Sequence, residues 1–162
     1  MKTRDVRSLI GLAAGLGLVV AIFSAAEFFD AGLRGICTVN SFFSCKVVDE
    51  SGRTSTFGIP DYLWGIGGFV GILVVAALAE RFPADPRGAY GLALLTSAGV
   101  ALSLYFLWVE LAQIHALCLV CATDYGFGAI AWVGALVLAV RARRGVPEEP
   151  EAPPEPPDAE PS

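Results

Sequence analysis

Four long stretches of this chain are almost free of charge, and they constrain its fold more than any other feature. Residues 9–26 and 89–109 contain no charged side chain, 59–79 contains only Asp61, and 119–140 contains only Asp124. A helix of about 20 apolar residues crosses the roughly 30 Å hydrocarbon layer of a bilayer. All four stretches have that length, and the expected fold is an all-α membrane protein with four transmembrane helices. Their many glycines would weaken helices in water, whereas membrane helices carry glycine more often. Only 17% of the residues are charged, against about 25% in an ordinary soluble domain, so the apolar excess needs a solvent other than water.

The net charge of −5 comes from one end of the chain. Residues 148–162 hold six acidic side chains, six of the ten prolines and no base, leaving eleven basic against ten acidic residues elsewhere. No basic surface for a nucleic acid follows from this. The segment 141–162 cannot build a core and is expected to be a disordered tail.

Lysine and arginine placement sets the expected orientation, because basic residues favour the cytoplasmic side. Lys2, Arg4 and Arg7 precede the first apolar stretch, Arg81 and Arg87 lie between the second and third, and Arg141, Arg143 and Arg144 follow the fourth. If the helices alternate, these eight share one side, and only Arg34, Lys46 and Arg53 lie on the other. Both termini, 1–8 and 141–162, are therefore expected in the cytoplasm and the long loop 27–58 outside. A signal peptide is the competing reading of the first stretch, with Ser24-Ala25-Ala26 as its cleavage site; either reading leaves Glu27 outside.

All four cysteines fall on the expected outer side, where disulfides form and persist. Cys118 and Cys121 make a C-x-x-C at the outer end of the fourth helix, where the helix dipole favours the attacking thiolate. Cys37 and Cys45 have seven residues between them, in a loop with Gly, Asn and Ser that is expected to be mobile. A pair in an aqueous loop and a pair at the membrane boundary together could carry electrons between a soluble thiol protein and an oxidant in the lipid. Two other readings compete: an all-thiolate zinc site, whose first spacing exceeds the usual two to four residues, and two inert structural disulfides.

The order Cys37-x7-Cys45, Ser51, Phe57-Gly58-Ile59-Pro60, Gly65, Cys118-x-x-Cys121 and Tyr125 resembles the vitamin K epoxide reductase family over about residues 8–140. The resemblance implies a four-helix transmembrane bundle around a quinone (menaquinone or ubiquinone) that serves as electron acceptor, with no metal. It implies that Cys118 and Cys121 are the active-site pair, with Cys121 nearer the quinone. Cys37 and Cys45 would be the shuttle pair, Cys37 taking electrons from a partner and Cys45 exchanging with Cys118. Ser51 matches a loop serine near the active site, and Tyr125 a tyrosine that hydrogen-bonds a quinone oxygen. Asp61 stands where relatives often carry an asparagine for the other oxygen. Some bacterial relatives carry a fused thioredoxin-like domain. Since only 141–162 follow the fourth stretch, a separate extracytoplasmic thioredoxin-fold partner is expected.

Helical spacing places Cys118, Cys121, Tyr125, Gly128 and Trp132 on one face. Tyr125 then lies about 6 Å below Cys121, from the 1.5 Å rise per residue. Gly128 leaves room for a flat ring, and Trp132 is expected to face lipid or the core. Asp124 either carries a proton to the quinone or is solvated or paired with Arg34 or Arg53. His115 either tunes the Cys118 thiol or faces solvent. Glu110 is expected to be a helix-end residue in water. Phe42 and Phe43 are expected to dip the loop into the bilayer surface. The function expected is a membrane thiol-disulfide oxidoreductase that oxidises the partner, reduces the quinone and so supports disulfide formation. A vitamin K epoxide reductase proper and a non-catalytic membrane protein with structural disulfides are the alternatives.

Overall fold

A computed structural model describes residues 2–34, 37–53, 55–82 and 85–145. The proline- and glutamate-rich residues 146–162, and with them most of the expected tail, lie outside the described residues. Helix α1 (Thr3–Phe29) is followed by a single helical turn, α2 (Ala31–Arg34), and by a short helix, α3 (Cys45–Glu50). A two-stranded hairpin, β1 (Ser55–Thr56) and β2 (Ile59–Pro60), leads into α4 (Asp61–Arg81). Helix α5 (Arg87–Trp108) runs into a π-helical turn, Val109–Ile114, and α6 (Leu119–Arg143) completes the fold.

The four long helices are 27, 21, 28 and 25 residues when the π-helical turn is counted with α5. At 1.5 Å per residue the shortest spans about 32 Å, enough to cross a bilayer core. Only 11–28% of the most apolar window of each helix is buried inside the protein. Leu12, Val19, Leu94 and Leu104 are each more than 60% exposed. A surface this apolar exceeds what a soluble monomer presents to water, and lipid is the solvent that fits it.

Helix α1 begins before its apolar stretch, where Asp5 Oδ2 accepts the backbone N–H of Lys2 at 2.9 Å. It runs unbroken through Ser24–Ala26 to Phe29. Helix α1 packs on α4 and α6, and α5 packs on the same two. The helices alternate in direction, so the ring order is α1–α4–α5–α6 with antiparallel neighbours. Lipid tails are as apolar as leucine, so close approach holds such bundles together more than hydrophobicity does. Two glycines show this. The ring of Phe69 on α4 fills the space where a Cβ on Gly17 would lie, and Ile10 Cγ1 comes within 2.7 Å of the Cβ position of Gly134. Between α5 and α6, Trp132 Nε1 donates to Ser97 Oγ at 2.9 Å.

The ring order gathers one set of connections at each end. The end of α1, the described residues of 30–60, the π-helical turn and the start of α6 meet at one end. The turn between α4 and α5 lies at the other, where Arg141 Nη1 donates to Thr3 Oγ1 at 3.3 Å.

Candidate functional site

The segment carrying Cys45 is stitched to the segment carrying Cys118. Leu117 donates its N–H to the Phe42 carbonyl at 2.7 Å and accepts that of Ser44 at 3.2 Å. Around this seam Asn40 Oδ1 accepts the N–H groups of Phe42 and Phe43, at 2.9 and 2.8 Å. Val39 and Asn40 both donate to the Phe43 carbonyl. The loop expected to be mobile is thus hydrogen-bonded at nearly every step from Val39 to Ser44. Its polar residues serve as turn formers. Phe43 pairs with Leu117 and stacks edge-on against Phe42, so this pair closes the seam.

Cys45 and Cys118 both open helices. Ser44 caps α3 by accepting the N–H of Val47 at 3.3 Å, which places Cys45 at the first helical position. Cys118 is the N-cap of α6, and its own sulfur accepts the N–H of Cys121 at 3.3 Å, where a Ser or Asp oxygen usually sits. Cys37 and Cys45 are joined as a disulfide, while Cys118 and Cys121 are free, buried thiols. Cys118 Sγ lies 3.2 Å from Cys45 Sγ. The sulfurs of Cys37, Cys45 and Cys118 all lie within 4.8 Å of one another.

One turn further in, Cys121 Sγ lies 4.0 Å from Asp61 Oδ2. Asp61 is the first residue of α4, and its Oδ1 accepts the N–H of Tyr62 at 2.8 Å. Asp61 borders a cavity of about 80 Å³ between α4, α5 and α6, together with Gly65, Asp124, Tyr125 and Gly128. A Cβ on Gly65 would come within 3.1 Å of Asp124 Oδ2, so that glycine lets the carboxylate approach α4. Asp124 Oδ1 is buried with no hydrogen-bond partner among the described residues. Buried polar groups are rarely left unpaired. The open space at Gly128 suits a flat ring, and Asp124 Oδ1 can donate to a carbonyl oxygen of such a ring when it holds a proton.

Glu110 differs from its expected place in water. It is 2% exposed, its Oε2 accepts the N–H of Cys118 at 3.1 Å, and its Oε1 accepts the Tyr125 hydroxyl at 2.9 Å. Helical spacing accounts for this, since Glu110 follows Phe106 by four residues on the buried face of α5. The turn ends at His115, whose φ is +58° and whose side chain is exposed. Ser51 ends α3; its hydroxyl donates to the Val48 carbonyl at 2.6 Å and accepts the N–H of Arg53 at 3.2 Å. Arg53 reaches Gln113 at 2.5 Å rather than Asp124. The Arg34 side chain lies outside the described residues. Trp132 joins α5 to α6 and does not border the cavity. Glu27, expected at the edge of the outer loop, is instead 2% exposed near the end of α1.

The structure therefore gathers all four cysteines, Asp61, Asp124 and Tyr125 at one end of the bundle. It adds Glu110 to them and leaves Ser51 and His115 at the margin. Four membrane-spanning helices with a cysteine redox centre at one end describe a membrane oxidoreductase. The model of the vitamin K epoxide reductase family matches residues 8–136, a span that includes both cysteine pairs and reaches into all four long helices. The chain belongs to the vitamin K epoxide reductase family.

Proposed function

We propose that this protein is a quinone-dependent thiol-disulfide oxidoreductase that oxidises a separate extracytoplasmic thioredoxin-fold protein. The observation that carries this reading is the 3.2 Å approach of Cys45 Sγ to Cys118 Sγ, one from each pair. Both termini lie in the cytoplasm and the cysteines face outward, in keeping with the eight basic residues at the opposite end.

Electrons enter when a partner thiolate attacks Cys37 and opens the Cys37–Cys45 bond. A second partner thiol resolves the mixed disulfide, so the partner leaves oxidised with the outer pair reduced. Cys45 thiolate then attacks Cys118 of an oxidised inner pair and releases Cys121. Cys37 attacks Cys45, which re-forms the outer disulfide and frees Cys118. The product of that transfer is an outer disulfide beside two inner thiols, the arrangement of bonds that the structure holds.

Asp61, Asp124 and Tyr125 are the residues that would hold the quinone, with Gly128 leaving space for its ring. When bound, the quinone supplies an acceptor for two electrons and two protons. Cys121 is the thiol that faces this cavity through Asp61, and Cys118 closes the inner disulfide. Seven intervening residues and the seam at Leu117 hold the outer pair at the mouth.

Purified protein supplied with a dithiol and a quinone should form quinol. Cys118→Ser and Cys121→Ser should abolish this with every reductant. Cys37→Ser and Cys45→Ser should abolish it with a protein dithiol and spare it with a small dithiol that reaches the inner pair. Equal loss in all four variants would refute the relay order. Turnover of the epoxide in preference to the quinone would favour the epoxide reductase instead.

A further inference from the structure

Glu110 touches both halves of the redox end. Its two carboxylate oxygens accept from the Cys118 backbone and from the Tyr125 hydroxyl, and 2% of the residue is exposed. Two features argue that it is more than a structural bridge. Burying an ionised carboxylate is costly, and a proton on the group removes that cost. It also sits in a π-helical turn, a rare element found often at functional sites.

A phenol has a single hydrogen to give. While Tyr125 gives it to Glu110, it has none for a ligand in the cavity that it lines. Tyr125 can donate into the cavity and keep its hydrogen bond to Glu110 only if Glu110 donates to Tyr125, and for that Glu110 must hold a proton.

We propose that Glu110 is a proton-carrying positioning residue, which takes the proton released at Cys118 and feeds it through Tyr125 into the cavity. The proposal rests on the quinone-reducing reading above. Its balance closes without a further reactant. Two S–H bonds break, the Cys118–Cys121 bond forms, the electron pair passes to the quinone, and the two thiol protons become the two quinol hydrogens. On the Tyr125 side, the O–H bond of Glu110 breaks as Tyr125 passes its hydrogen on, and Tyr125 regains one. Glu110, left as carboxylate, recovers the proton of the Cys118 thiol.

The test begins with protein stripped of quinone, its inner pair reduced by a dithiol or oxidised by a small disulfide. Infrared difference spectra should contain a carboxylic C=O band that follows the redox state. That band should be missing in Glu110→Gln and displaced in Tyr125→Phe, which serves if the glutamine variant does not fold. With quinone added, both variants should form quinol about 10²–10⁴-fold more slowly, the usual worth of a placed proton donor. Glu110→Asp, which keeps a transferable proton, should recover part of the rate. A carboxyl signal indifferent to the thiols, or wild-type quinol formation by Glu110→Gln, would overturn the proposal. Wild-type protein that forms no quinol while the band still follows the thiols would support the proton on Glu110 and overturn the quinone reading instead.

Discussion

Replacing Gly17 with alanine tests whether the bundle's packing sets the shape of the cavity. The added methyl falls on the ring of Phe69, in contact with three of its carbons. Phe69 is 5% exposed, so its ring has no free path to lipid. It borders the cavity, so the relief available to it is movement inward. Overpacking of this kind costs about 1–3 kcal/mol, which lowers the folded-to-unfolded ratio about 5- to 150-fold. Reversible unfolding in mixed micelles would measure that loss. The same variant should need more quinone to saturate, while dithiol opening of Cys37–Cys45 proceeds unchanged. Gly15→Ala is the control, because nothing lies within 4 Å of its Cβ position. Shrinking the partner in Gly17→Ala/Phe69→Leu should recover most of the stability, a coupling of about 0.5–3 kcal/mol. If Gly17→Ala matched Gly15→Ala in both stability and quinone saturation, the packing argument would be wrong.

Three further outcomes follow from single contacts. Trp132→Phe should lose about 0.5–1.5 kcal/mol with its hydrogen bond to Ser97, and Ser97→Ala should add little on top; additive losses would deny the pairing. Ser44→Ala should cost about 0.5–2 kcal/mol of local stability by uncapping α3, and hydrogen exchange at Val47 and Val48 should rise; unchanged exchange would deny the cap. Asp124→Asn should slow quinol formation and alter its pH profile, since Asp124 Oδ1 is buried beside the cavity without a partner among the described residues; an unchanged rate and profile would remove Asp124 from proton transfer.

The four membrane helices were legible because hydrocarbon imposes a length and a composition that few other environments demand. The C-x-x-C at a helix start was legible because spacing alone puts Cys118 at the cap and Cys121 one turn in. Glu110 was not. An acid at the end of an apolar stretch reads as a residue reaching water, whereas Glu110 lies one turn beyond Phe106 on the buried face of α5. Its sequence signal was helical spacing from Ser103 and Phe106, which border the cavity. The order of the 39–44 loop was also hidden, since Asn40 and Ser44 mark turns whether or not those turns are fastened. Its anchor, Leu117, lies more than seventy residues away. Arg53 turned to Gln113 because the π-helical turn brings that amide to the loop, a contact that helix-by-helix reading does not foresee.

The most direct measurement uses Cys37→Ser/Cys121→Ser, which leaves Cys45 and Cys118 as the chain's two thiols. Mild oxidation in micelles, followed by proteolysis and mass analysis, should find them joined within one molecule, rapidly and nearly to completion, as their 3.2 Å separation requires. Two thiols that remain separately alkylatable, or that join only between molecules, would contradict the relay.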